Sequence, residues 1–144
     1  MQTRKQLEWI AGGLIGLVFF FNIQCALAFI FFPQTYVGGF ELSGLPGQAV
    51  VRGFGILFLM WNVPYAVALW RPVRNRLSLY EAVIMQAIGL LGESAIYWSL
   101  DAGHEAARQT LLRFIIFDGS GLIALLAAVW LVNRRIPDLS LARE

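Results

Sequence analysis

Four long apolar stretches alternate with short polar segments along this chain. They cover Ile10–Phe32, Val50–Trp70, Leu79–Leu100 and Leu111–Val132. A helical run of about 20 apolar residues crosses the roughly 30 Å hydrocarbon layer of a bilayer, and buried helices of water-soluble domains seldom reach that length without a charge. The pattern therefore predicts an all-α fold, a polytopic membrane four-helix bundle.

Composition supports the same fold class. Hydrophobic residues make up 58% of the chain and charged residues only 14%, so a water-soluble domain of this composition would lack polar surface. The tails and loops outside the four stretches are too short for a second folded domain. We expect residues 1–144 to form a single transmembrane domain whose first partner is the lipid bilayer.

The first apolar stretch also has features of a signal peptide, with a basic start and the small-residue motif Ala26-Leu27-Ala28. Its apolar run continues to Phe32, which makes it longer than an ordinary signal core. We therefore expect a retained helix.

Basic residues give the expected orientation. Eight of the eleven lie on one side: Arg4, Lys5, Arg71, Arg74, Arg76, Arg134, Arg135 and Arg143. Basic residues concentrate on the cytoplasmic side of membrane proteins, so both termini and the 71–78 loop are predicted to be cytoplasmic, in a bacterial inner membrane. Because this rule also explains the net charge of +2, we infer no nucleic-acid partner.

The residue types that usually hold cofactors are scarce. Cys25 is the single cysteine and His104 the single histidine, so the chain has no disulfide framework, no paired histidines for haem and no histidine- or cysteine-rich metal site. It also has no phosphate-binding glycine loop. We expect no metal and no cofactor.

Charged residues inside the spans carry the main functional signal. Counted from the outer span ends, Arg52 and Arg113 lie about 5 Å deep, and Glu93 and Asp118 about 10–12 Å deep. An isolated charge in a bilayer costs at least about 2.5–3.5 kcal/mol. These four groups are therefore expected to face inward and to pair with each other or line a wet cavity.

Uncharged polar residues extend this group. Pro64 predicts a kink in the second span, beside Asn62 and Tyr65, while Glu93 and Tyr97 share one stripe of the third span with Gln86. The candidate ligand-binding or buried polar cluster is Arg52, Asn62, Tyr65, Glu93, Tyr97, Arg113 and Asp118.

The segment between the first two spans, residues 33–49, is rich in glycine and proline yet apolar. We expect it to be irregular, acting either as a lid over the bundle or as a simple linker. His104, in the second outer loop, is expected to be an ordinary surface residue, because zinc sites usually need three or four protein groups.

The layout also resembles a known group. The stretch Val51-Arg52-Gly53-Phe54-Gly55-Ile56-Leu57, the four spans and the basic inner loop are similar to the DoxX-like small bacterial four-helix membrane proteins. This resemblance implies an accessory membrane role and carries no catalytic residue across. A faint internal repeat, Glu8 before Ile15-Gly16-Leu17 and Glu81 before Ile88-Gly89-Leu90, is compatible with two similar parallel-repeat hairpins.

Several functions fit these observations. We favour a non-enzymatic component that acts as an accessory scaffold, with its buried charges neutralising each other, or that binds a lipophilic molecule in the outer half of the bundle. The alternatives are an isomerase-type enzyme acting on a sterol-like or isoprenoid lipid, and a proton-coupled transporter using Glu93 or Asp118. A homo-oligomer or a larger membrane complex is compatible with each of them.

The orientation is open to a direct test. In a background without Cys25, cysteines introduced at Gly39 and Gly103 should react with a membrane-impermeant thiol reagent in intact cells, whereas one at Asn75 should not. Mass spectrometry of the labelled protein measures the reaction. Labelling only at position 75 would show the opposite orientation.

Overall fold

The computed structural model describes residues 2–134. The helices are α1 (Gln2–Phe31), α2 (Pro33–Tyr36), α3 (Gly44–Trp61), α4 (Val63–Trp70), α5 (Arg76–Ser99) and α6 (Glu105–Asn133), with a 3-10 turn over Val37–Phe40. These described residues contain no strand. The all-α membrane bundle is therefore confirmed. Arg135 and Arg143, used above for orientation, lie outside the described residues.

Four helical segments are long and apolar enough to cross a membrane. They are Lys5–Phe31, Gly44–Trp70, Arg76–Ser99 and Glu105–Asn133. Many of their large apolar side chains point away from the bundle, as expected for helices that face lipid. The chain is an integral membrane protein, and each observed span includes nearly all of its predicted stretch.

The spans form a ring in chain order. Helix α1 packs against α3, α4 and α6, while α5 packs against α4 and α6. We call the end with the 32–43 and 100–104 connections the outer end, and the opposite one the inner end. The buried apolar cluster occupies the inner half and consists of Ala11, Ile15, Val18, Tyr65, Ala68, Leu79, Ala82, Leu125, Ala128 and Val132.

The second span breaks at Asn62, between α3 and α4, where the sequence predicts the Pro64 kink. Pro64 lies in the first turn of α4, the position at which a helix tolerates a residue without an N–H group. The break lets the two halves pack differently: α4 lies against both α1 and α5, whereas α3 lies against α1. Between residues 2 and 134, α3 and α5 make no extended contact.

Glycine allows the close approach of α3 to α1. A Cβ atom at Gly55 would lie 2.7 Å from the backbone oxygen of Ala26 and 3.1 Å from the backbone nitrogen of Ile30. Gly16 likewise allows Leu69 to approach α1. Gly92 of α5, by contrast, has open space beside it.

The segment after α1 is more ordered than predicted. Residues 33–43, which we call the cap segment, contain α2 and the 3-10 turn, and α3 begins at Gly44, six residues before the predicted Val50. Its Phe40 ring lies 5.4 Å from the Phe54 ring and 6.3 Å from the Phe114 ring, centroid to centroid. The segment therefore packs onto the outer end of the bundle.

The packing of the cap segment also affects the labelling test. A Cβ atom at Gly39 would lie 2.7 Å from Oγ1 of Thr110, whereas Gly38 is open. Gly38 is therefore the better position for an outer cysteine.

The contact at Gly55 predicts a stability effect. Gly55→Ala should lower the free energy of unfolding by about 1–3 kcal/mol, because the neighbouring backbone cannot yield to the added methyl group. Gly53→Ala is the matched control, since a Cβ atom there meets nothing within 4 Å. Thermal unfolding in detergent measures both, and equal melting temperatures would contradict the close approach.

Candidate functional site

A cavity of about 610 Å³ lies among the four spans, outward of the packed inner half. We call it the outer cavity. Its aromatic lining consists of Phe21, Tyr36, Phe58, Trp61, Tyr65, Phe114 and Phe117. Its polar and charged lining consists of Asn22, Gln24, Asn62, Gln86, Glu93, Arg113 and Asp118. A mostly apolar wall with a few convergent polar groups is typical of a site for a small lipophilic molecule.

A chain of hydrogen bonds closes the inner end of the outer cavity. The Tyr65 hydroxyl donates to Oε1 of Gln86 at 2.5 Å, and Nε2 of Gln86 donates to Oδ1 of Asp118 at 2.9 Å. Tyr65 and Gln86 are almost fully buried. This chain links the second, third and fourth spans and fixes the direction of the Asp118 carboxylate.

Two glycines make room for this chain. A Cβ atom at Gly89 would lie 2.5 Å from Oδ2 of Asp118, and one at Gly121 would lie 2.7 Å from Nε2 of Gln86. Gln86 was not in the predicted cluster, although it lies on the same α5 stripe as Glu93, seven residues away. The sequence pattern places Gln86 on that stripe but does not predict its contact with Asp118.

Glu93 also lines the outer cavity, but it differs from Asp118 in having no partner. Its Oε2 atom is buried and makes no hydrogen bond with any residue that the structure describes. The Oδ1 atom of Asn62 is in the same state, and Asn62 is only 3% exposed. A buried acceptor without a partner costs about 1–3 kcal/mol, so both atoms are candidates for contact with a bound molecule.

The expected pairing of the four buried charges is not found. Over residues 2–134, neither Glu93 nor Asp118 forms a salt bridge with Arg52 or Arg113. Arg113 lines the outer cavity with an exposed side chain. The prediction that Arg52 faces inward is wrong: it lies on the exposed face of α3 and does not line the cavity, since Gly55 and Val51 occupy the buried face.

Tyr97 also lies away from the outer cavity. Its ring stacks under the Arg108 guanidinium, whose Cζ is 4.4 Å from the ring centroid, and Nη1 of Arg108 donates to the backbone oxygen of Leu100 at 2.8 Å. Tyr97 therefore helps to close the outer end of α5, where a helix leaves its last carbonyl groups without partners.

The outer cavity opens sideways, on the side facing lipid. Ile88 and Ile96 of α5 line the cavity, yet they are 57% and 52% exposed. Phe58 and Trp61 of α3 line the opposite side of the same gap, where α3 leans toward α1. A molecule dissolved in the bilayer could therefore enter between α3 and α5 without crossing water.

The two outer loops are joined over the bundle. Nδ1 of His104 lies 2.6 Å from Oε2 of Glu41, and the Ala107 backbone N–H donates to Oε1 of Glu41 at 3.4 Å. His104 thus has a specific partner in the cap segment, which the sequence did not suggest. Tyr36 of the same segment lines the outer cavity, so this pair helps to hold one wall of the cavity in place.

Metal binding finds no support in the part of the chain that the structure describes. No group of three or more histidine, cysteine or acidic side chains gathers there. Cys25 lines the outer cavity without a second thiol.

Comparison with protein-family models, with curated proteins and with solved structures finds no match to this chain. The DoxX-like resemblance therefore stays a prediction, and function has to be inferred from the outer cavity itself.

The Glu41–His104 pair predicts a pH dependence. Their hydrogen bond raises the pKa of His104 above its ordinary 6.5, with the nearby Asp101 adding to the effect, and lowers the pKa of Glu41 below 4.5. The stabilisation is therefore complete between these two values. It is lost as the pH rises through the raised pKa of His104, or falls through the lowered pKa of Glu41.

His104→Asn should accordingly reduce the melting temperature slightly at about pH 5.5 and not at about pH 8.5, because the pair is surface-exposed and charged only when His104 is protonated. Thermal unfolding in detergent at both pH values measures the difference. A loss of equal size at both would mean that the charge of His104 is irrelevant.

Proposed function

We propose that this protein binds a lipophilic molecule in the outer cavity, as a component of a bacterial inner membrane with both termini in the cytoplasm. The observation that carries the proposal is the outer cavity: about 610 Å³, bounded by aromatic rings and opening toward lipid between α3 and α5. That volume lies within the roughly 300–1,000 Å³ of small-molecule sites.

The contrast between the two halves of the bundle supports this proposal. The inner half is filled by close-packed apolar side chains, as a purely structural bundle would require. The outer half instead contains a cavity lined by two acids and four amides, with two buried acceptors unpartnered. A scaffold gains no stability from such an arrangement, whereas a binding site uses both the volume and the free acceptors.

The accessory role implied by the DoxX-like resemblance is compatible with ligand binding, and so is assembly with a second copy or a larger membrane complex. The isomerase and transporter alternatives would place a bound lipid or a proton path at Glu93 and Asp118. Turnover of a sterol-like or isoprenoid lipid that is lost in Glu93→Gln would establish the enzyme in place of the binder.

Gly92 offers a direct way to fill the outer cavity. It lines the cavity, and a Cβ atom there would meet nothing within 4 Å, so Gly92→Phe should place its ring in the cavity. Native mass spectrometry of the purified wild type should show a retained lipophilic molecule, and the variant should retain at least about tenfold less of it.

Gly53→Phe is the matched control, because Gly53 also has open space but does not line the outer cavity. It should retain the molecule as the wild type does, and unchanged melting of both variants would show that they fold. If the wild type retains nothing specific, or if both variants lose it alike, the binder is wrong and the scaffold is favoured.

A further inference from the structure

The donors at the inner end of the outer cavity are already used within the protein. The Tyr65 hydroxyl donates to Gln86, and the Gln86 amide donates to Asp118. Nδ2 of Asn62 donates to the backbone oxygen of Phe58 at 2.6 Å. That last bond also settles which way the Asn62 amide points, because a carbonyl oxygen can only accept.

Two acceptors on residues that line the outer cavity are not used. Asn62 lines the outer cavity, and with its nitrogen on Phe58 its Oδ1 atom is buried without a partner, in a side chain that is only 3% exposed. Oε2 of Glu93 is likewise buried and unpartnered. Buried polar groups in proteins are nearly always satisfied, so two orphaned oxygens on one cavity call for donors from outside the chain.

Charge points the same way. Glu93 and Asp118 are two acids at depth, and Arg113 is the one basic side chain among the described residues that line the outer cavity. Arg113 lies five residues outward of Asp118, about 7.5 Å along α6, is exposed and forms no salt bridge. It forms no ion pair with either acid, so among the described residues neither acid has a paired counter-charge.

The apolar lining suits a cation as well. The aromatic rings named above surround this acidic interior, and Trp61 adjoins Asn62 at the break of the second span. The face of an aromatic ring attracts a cation, and the attraction grows when water is excluded. An anionic group beside Oε2 of Glu93 and Oδ1 of Asn62 would meet acceptor oxygens instead of donors.

From this arrangement we propose that the ligand of the outer cavity is a lipophilic amine, whose ammonium group donates to Glu93 and Asn62 while its hydrocarbon part lies among the aromatic rings. This rests on the proposed function, and it specifies the chemical class that the site selects. The hydrocarbon part extends toward the gap between α3 and α5, and the ammonium group donates to the two unpartnered oxygens.

Three chain-matched probes test the assignment: dodecylamine, dodecanol and dodecanoic acid, each carrying the same photoreactive diazirine. The full chain in phosphatidylcholine nanodiscs is irradiated with each, and mass spectrometry maps the labelled residues. The amine should label cavity residues such as Phe58 and Phe114 about tenfold more than the alcohol or the acid.

Glu93→Gln should lower cavity labelling by the amine about tenfold and leave labelling by the alcohol within about twofold, because it replaces an acceptor oxygen by a donor group. Glu81→Gln is the matched control, on the exposed face of the same helix, and should change neither. Unchanged melting of both variants would show that they fold.

The outcomes separate two failures. If the alcohol or the acid labels the cavity as well as the amine, or if Glu93→Gln lowers all three probes alike, the amine assignment is wrong while the binding cavity stands. If none of the three probes labels the cavity and the purified protein retains no molecule that Gly92→Phe displaces, both proposals are wrong.

Discussion

The break in the second span at Asn62 is the constraint on which the rest of this structure depends. The inner half of the span, α4, packs against both α1 and α5, whereas the outer half, α3, packs against α1 and makes no extended contact with α5. Pro64 permits the change of direction, and Gly55 permits the close approach that follows it. The volume that α3 vacates beside α5 becomes the outer cavity and its opening toward lipid.

The inner and outer halves of the bundle differ in how their side chains pack. The inner half is packed with apolar side chains such as Ile15, Leu79 and Leu125, and it stabilises the assembly. The outer half holds the polar chain from Tyr65 through Gln86 to Asp118, which ties three spans together at the floor of the cavity. Rigid support below a site keeps its polar groups in one geometry, and this favours selective binding over loose partitioning of lipid.

The buried acids illustrate how a membrane protein can hold ionisable groups without ion pairs. Asp118 is held by an amide instead of an arginine, and Glu93 has one oxygen with no partner among the residues described. The Arg113 side chain is exposed, and Arg52 lies on the face of α3 that points away from the bundle. Long arginine side chains near span ends can reach the interface, which removes the energetic need to pair with an acid.

Hydropathy alone determined the fold class, because four runs of spanning length admit few arrangements and backbone groups in lipid must be satisfied within helices. It also placed Glu93, Asp118, Asn62 and Tyr65 within the bilayer, where a polar side chain without a partner is energetically costly. Their surroundings could not be read from the chain, since depth along a helix does not give rotation about its axis.

Only the tertiary structure decided which side chains converge. It turned Arg52 outward and placed Tyr97 under Arg108, because the buried stripe of each helix follows from how its neighbours pack. It brought Glu41 and His104, 63 residues apart in sequence, into contact. The cap segment that carries Glu41 is partly helical, although its glycines predict an irregular segment. The local sequence determines helix propensity and membrane depth. Contacts between residues on different helices depend on how those helices pack together.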